Sequence, residues 1–289
     1  MQTIIGEGSM TEKKSELKAL KVQYRAQKQA IKDKYASDPY RAQKREERRL
    51  ARQQKKEARL LAKEERRRQH EELNQTMPKR YTLGEEIFNS VSHGIGAGLS
   101  IAGIVLLVVR AVTHSPADQH AIFITGFAIY GATLLLLYIM STLYHALTPY
   151  VAKNVFAVFD HCSIYILIAG TYTPIVLTDL PPALGWTFFG IIWGLAAFGC
   201  TMYAVFGSRM RTLSAITYLP MGCLILTVLK PLSESMPAIS IKYLIIGGAL
   251  YIAGWPFYML KKKKWMHSIF HLFVLAGSIF HFFCIYLSI

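Results

Sequence analysis

Residues 265–288 read WMHSIFHLFVLAGSIFHFFCIYLS, a stretch of 24 residues that contains no Asp, Glu, Lys or Arg. An α-helix rises about 1.5 Å per residue, so a helix of this length crosses the roughly 30 Å hydrocarbon core of a bilayer. Long uncharged apolar segments are typical of transmembrane helices, because a charged side chain inside the bilayer is costly. The stretch therefore predicts a membrane span.

The same pattern recurs through the second part of the chain. Apolar residues surround most faces of each predicted helix, which favours membrane spans over amphipathic surface helices. We therefore predict an all-α membrane protein, with a seven-transmembrane-helix bundle over residues 81–289. The predicted spans cover residues 86–110, 120–146, 155–177, 184–206, 212–230, 239–259 and 265–288.

The first 80 residues have a different composition, with 23 Lys or Arg and 12 Asp or Glu, a net charge of +11. We expect no cleavable signal peptide, because residues 1–80 contain no apolar core. We interpret them as a basic cytoplasmic arm, either a polar helix interrupted near Asp38-Pro39 or a disordered tail. Its charge could attract anionic lipid headgroups. Nucleic-acid binding is not predicted, because the pattern of interleaved stacking aromatics is missing.

The distribution of Lys and Arg orients the predicted bundle. Alternate loops, counted from the basic arm, share basic residues: Lys153, Arg209, Arg211 and the four lysines at 261–264. The loops between them carry the acidic residues Asp118, Asp179 and Glu234. Because cytoplasmic loops carry an excess of Lys and Arg, we predict a multi-pass protein of the cell membrane, with a cytoplasmic N-terminus and an extracellular C-terminus.

This orientation brings embedded polar residues to one depth, in the cytoplasmic half of the bundle. Glu85 is placed at the membrane edge, which leaves Glu86 and Asp160 as the buried acids expected after residue 80. His145 ends the second span, and the last span opens with two histidines one helical turn apart. Polar groups in a bilayer are expensive, so their convergence indicates a functional site.

Three imidazoles are typical of hydrolytic zinc sites, which leave a fourth position for water. We therefore expect His145, His267 and His271 to bind Zn²⁺, with Asp160 orienting the water or acting as general base. Ser141 lies one turn before His145, where its hydroxyl could bond a substrate oxygen. Two other interpretations stay open: the histidines could bond across helices, and Asp160 could be a partner of Lys153 or a helix N-cap.

Four motifs resemble those of the hemolysin III family, which belongs with the progestin and adipoQ receptors and more distantly with alkaline ceramidases. They are Glu86-x-x-Asn89-x-x-x-His93, Ser141-x-x-x-His145, Asp160 with Gly170-Thr171-Tyr172-Thr173-Pro174, and His267-x-x-x-His271. The resemblance implies seven transmembrane helices, a cytoplasmic N-terminus and zinc at the three histidines that match the family's ligands. It also implies that the aspartate reaches the metal through water, and it covers residues 81–289 but not the arm.

Three functions follow as hypotheses. The first is a zinc hydrolase of the ceramidase kind that cleaves a lipid amide or ester and is tied to membrane lipid homeostasis. The second is a receptor-like or regulatory protein in which zinc is structural. The third, a pore-forming cytolysin, rests on the family name, and evenly apolar spans give it no polar channel lining. Residues expected to support the site are Glu86, Asn89 and His93.

Overall fold

Helices make up the regular secondary structure of the residues that the computed structural model describes, which are 7–36, 39–76 and 81–289. The chain divides into two units, Met1–Gln75 and Thr76–Ile289. The first unit contains α1 (Glu7–Ala36) and all but the last residue of α2 (Pro39–Thr76). Strong helix formers dominate both, and Pro39 occupies the first position of α2, where its missing N–H costs nothing. The predicted interruption near Asp38 falls partly on residues 37–38, outside the described ranges.

The second unit contains the apolar helices. Within the described residues, seven segments are long and apolar enough to cross a membrane, which confirms the predicted all-α architecture and its seven spans. Six of the segments are single helices, and the fifth span is composite. The single helices are α3 (Leu83–His114), α4 (His120–Ala146), α5 (Tyr150–Asp179), α6 (Pro182–Phe206), α9 (Ala238–Met259) and α10 (Met266–Tyr286).

The fifth span, Arg211–Ser235, is built from three pieces. The helix α7 (Arg211–Cys223) is followed by a 3₁₀ turn over Leu224–Val228 and then by α8 (Leu229–Ser235). The hydroxyl of Tyr172, on α5, lies 3.1 Å and 3.0 Å from the carbonyl oxygens of Met221 and Gly222 and accepts the N–H of Ile225. A neighbouring helix thus satisfies backbone groups at the break, which is the condition for irregular backbone inside a bilayer.

Close packing of α5 against α6 depends on Gly185. A Cβ atom at this position would lie 2.2 Å from the carbonyl oxygen of Val176, a backbone atom that cannot rotate away. Gly190 lies on the same helix and has open space where its Cβ would be. The two glycines therefore form a matched pair for testing this contact.

We expect Gly185→Ala to lower the free energy of unfolding by about 1–3 kcal/mol relative to Gly190→Ala, because it overpacks the α5–α6 contact. Both replacements gain the same helix propensity, so the difference between them isolates the contact. The measurement is the denaturation midpoint of the two variants in the same detergent. Equal midpoints would show that α5 and α6 do not approach as closely as described.

Candidate metal centre

Three buried histidines from two helices meet in the interior of the second unit. His145 lies in the last turn of α4, and His267 and His271 lie in the first two turns of α10. One ring nitrogen of each histidine lies within 4.8 Å of the others. Because positions i and i+4 share one helix face, α10 directs both of its imidazoles to the same place. The structure thus brings together the three residues expected to bind a metal.

Two donor atoms of this cluster have the spacing of ligands on a tetrahedral metal ion. The Nε2 atoms of His267 and His271 lie 3.2 Å apart. Two nitrogens that each lie 2.0–2.1 Å from a tetrahedral zinc ion would be separated by about 3.3 Å. The Nε2 atom of His145 is buried and has no hydrogen-bond partner in the described part of the chain. The cluster could therefore hold a metal ion, and imidazole is a ligand that suits zinc.

Glu86 determines which nitrogen of His145 faces the cluster. One carboxylate oxygen, Oε2, lies 2.6 Å from His145 Nδ1, and the other, Oε1, lies 2.7 Å from Lys153 Nζ. An ionised carboxylate only accepts hydrogen bonds, so Nδ1 carries the proton and Nε2 keeps its lone pair. Metal-binding histidines commonly use a carboxylate in this way. Lys153, considered above as a partner of Asp160, is thus paired with Glu86.

We expect Glu86→Gln to weaken zinc binding by about 10–100-fold, because the amide no longer fixes the ring of His145 as a carboxylate does. The measurement is a competition titration with a fluorescent zinc chelator on the purified protein. Glu234→Gln is the matched control, since Glu234 is exposed on α8 and its replacement by Gln removes the same charge. Equal affinities in the two variants would remove Glu86 from the site.

The other two residues of the Glu86 motif also contact the ligand rings. Asn89 is fully buried on α3, and its Nδ2 atom lies 3.5 Å from His145 Nδ1. The ring of His93 stacks on that of His271, with centroids 3.7 Å apart. Residues spaced three or four apart on α3 thus line the cluster from one side, and their supporting role stays a prediction.

Glu85 is more buried than the sequence indicates, with 4% of its surface exposed. Its Oε2 atom accepts hydrogen bonds from the backbone N–H and the hydroxyl of Thr82, at 2.8 Å and 2.7 Å. Its Oε1 atom accepts the N–H of Trp265 at 2.7 Å. The expectation that Glu86 and Asp160 are the buried acids is therefore wrong, because Glu85 is buried and those two are partly exposed. The position of Glu85 at the membrane edge stays a prediction. The sequence signal was present, because Thr82-x-x-Glu85 is a capping box.

This carboxylate joins the start of α3 to the start of the helix that carries two of the histidines. Trp265 precedes α10 and adopts a left-handed backbone conformation with φ = 66°, which is uncommon for a residue with a side chain. Tyr81, just before α3, stacks on the ring of His267 with centroids 4.9 Å apart. Glu85 and Tyr81 thus position the first turn of α10, and neither was predicted to do so.

A cavity of about 380 Å³ adjoins the cluster. Asp160 and Ser141 line it together with His267 and His271, so the two predicted catalytic residues share a cavity with two predicted ligands. Along α10 the lining extends from His267 to His281, a distance of about 21 Å for 14 helical residues. Most other lining side chains are apolar, which makes this an elongated, mainly apolar cavity. Polar side chains line it at the histidine cluster and also farther along, at Tyr251 and His281.

The chain is similar in sequence to known proteins. The sequence profile of the family described as Haemolysin-III related matches residues 81–282. The chain is 41% identical over 201 residues to Hemolysin-3 of Bacillus cereus, covering 70% of this chain and 90% of that protein. It is 42% identical over 205 residues to a Hemolysin-3 homolog of Bacillus subtilis, with 71% and 94% covered. It is also 27% identical over 190 residues to the human Monocyte to macrophage differentiation factor, with 62% and 76% covered.

Proposed function

Because the chain belongs to the haemolysin-III related family of integral membrane proteins, we propose that it hydrolyses an amide or ester bond of a membrane lipid with the help of Zn²⁺. The proposed ligands are His145, His267 and His271. We place the protein in the cell membrane with its N-terminus in the cytoplasm, on the basis of the Lys and Arg distribution among the loops.

The observation that carries this proposal is the position of the histidine cluster beside an elongated apolar cavity. A lipid acyl chain is long and apolar, and a cavity of about 380 Å³ falls in the range of small-molecule sites. Asp160 and Ser141 line this cavity together with His267 and His271, where a lipid amide or ester would meet them. The cavity therefore offers one region for the lipid acyl chain and another region, beside the histidines, for the bond that is cleaved.

Each side chain at the cluster has a distinct role in this proposal. Zinc, when bound, makes water acidic enough to react near neutral pH and polarises a carbonyl group. Asp160 accepts a proton from the attacking water and returns it to the leaving group. Ser141 donates its hydroxyl hydrogen to an oxygen of the substrate. Glu86 keeps the ring of His145 in the orientation that binds the metal.

The experiment uses the purified full chain in vesicles that contain a ceramide as the amide probe and a diacyl phospholipid as the ester probe. We expect release of fatty acid from one of them, loss of release after treatment with a chelator, and recovery when Zn²⁺ is returned. Zinc-loaded protein that releases no fatty acid from either probe would contradict the hydrolase proposal.

A second candidate is a regulatory protein with structural zinc. It is favoured by the origin of the ligands, because one comes from α4 and two come from α10, so a metal ion would tie two helices together. Its signature is a chelator-induced fall in melting temperature without lipid turnover. A lytic pore is disfavoured by the apolar lining of the cavity, and dye release from vesicles would support it.

A further inference from the structure

The charges on α2 are segregated to opposite sides of the helix. At 100° per residue, 12 of the 13 Lys and Arg residues of α2 fall within an arc of about 140°. The seven Glu residues fall within a separate arc of about 120°, together with Arg68. The basic face consists of Arg41, Lys44, Arg45, Arg48, Arg49, Arg52, Lys55, Lys56, Arg59, Lys63, Arg66 and Arg67.

This basic face is long and open to solvent. It extends from Arg41 to Arg67, about 39 Å along the helix axis. Each of its members is exposed. A solvated helix gains most from opposite charges spaced four apart on one face, whereas separation of the charges leaves like charges adjacent. The pattern is therefore typical of a helix that binds an extended anionic surface.

We propose that the basic face of α2 docks on the anionic phospholipid headgroups of the membrane that the second unit spans. The six residues between Thr76 and Leu83 keep α2 close in sequence to the first membrane span. The predicted orientation places this arm on the cytoplasmic side, where anionic lipids give the membrane surface a negative potential. Lys and Arg near such a surface are attracted to it, and the attraction falls off within a Debye length.

The docking is electrostatic, and α2 does not insert into the acyl region of the bilayer. The exposed leucines of α2 lie outside the basic arc: Leu50 and Leu61 lie among the Glu residues, and Leu60 lies between the two arcs. A helix that enters the acyl region presents a continuous apolar face to the lipid. The helix α2 lacks such a face, because its leucines lie beside Glu residues. The basic face therefore lies flat on the headgroups, with the Glu side turned to solvent. The interaction is independent of zinc and of lipid turnover.

The test uses the full chain in nanodiscs of phosphatidylcholine alone or of phosphatidylcholine mixed with phosphatidylglycerol. The readout is the rate at which a Glu-specific protease cuts within α2, because a protease cuts locally unfolded backbone and docking stabilises the helix against local unfolding. We expect cutting to be at least about tenfold slower in the anionic nanodiscs, with the protection lost at high salt. Equal rates in both nanodiscs would overturn the proposal.

Two variants distinguish the effect of the basic face on docking from the effect of net charge. The first replaces Arg45, Arg48, Arg52 and Arg59 by Gln, which keeps good helix formers and every Glu. The second variant swaps Gln and Arg at two pairs of positions on α2. It combines Gln43→Arg with Arg45→Gln, and Gln54→Arg with Arg52→Gln. It keeps composition and net charge but moves two charges to the Glu side. We expect both variants to lose protection, and circular dichroism checks that helix content is unchanged.

Other partners give distinct results. Full protection in the exchanged variant would show that net charge acts without the face and would overturn the proposal. Protection that needs added RNA, in either nanodisc, would assign the face to nucleic acid. Protection that is independent of lipid charge but rises with the number of protein chains per nanodisc would assign the basic face to contact with a second copy of the chain.

Discussion

His271→Ala is expected to weaken zinc binding by more than about 100-fold, beyond the loss caused by changing a residue that only supports a ligand. The variant removes one of three nitrogens that lie within 4.8 Å of one another. Two remaining imidazoles cannot hold the ion in the geometry typical of zinc sites. The measurement is the zinc content of detergent-purified protein by elemental analysis, with lipid turnover assayed in the same samples.

His281→Ala is the matched control for this prediction. His281 is buried on the same helix, and its Nε2 atom lies 3.3 Å from the carbonyl oxygen of Leu244, away from the cluster. We expect this control to keep its zinc even if its stability falls. Equal zinc content in the two variants would show that His271 is not a ligand.

Asp160→Asn is expected to lower lipid turnover by about 10²–10⁴-fold while zinc content is unchanged, because a general base contributes on that scale. Asp160 lines the cavity with His267 and His271, and 13% of its side-chain surface is exposed. The amide keeps the size of the side chain but cannot take a proton from water. The measurements are fatty-acid release in vesicles and zinc content.

Asp179→Asn serves as the control, because Asp179 is the last residue of the same helix, 19 residues beyond Asp160. We expect turnover close to that of the unmodified chain. Unchanged turnover in Asp160→Asn would remove Asp160 from the reaction, and loss of its zinc would make Asp160 a metal ligand instead of a base.

Sequence reasoning predicted the number and order of the spans because the bilayer imposes a minimum apolar length on each helix. It placed the fifth span at residues 212–230 as one helix, whereas the structure has three pieces that extend to Ser235. The break is stabilised by the hydroxyl of Tyr172, about 50 residues earlier in the chain. Hydropathy reports the composition of a segment and carries no information on such a distant partner.

Long-range contacts at the metal centre are likewise not predicted by local sequence patterns. The spacing of His267 and His271 predicts a shared helix face because it depends on local helix geometry. The role of Glu85 could not be read in the same way, since its partner Trp265 lies 180 residues away. The capping box was visible in the sequence, but the second carboxylate oxygen reaches α10 through the tertiary fold. Long-range pairings of this kind are what local patterns leave undetermined.

The central claim, that three histidines hold zinc and leave a position for water, is tested most directly by zinc X-ray absorption spectroscopy on the purified protein. We expect three imidazole nitrogens and one oxygen at about 2.0–2.2 Å. A signal from sulfur at about 2.3 Å would place the metal on the cysteines instead. That result, or the same spectrum from a His267→Ala, His271→Ala variant, would contradict the assignment of the site.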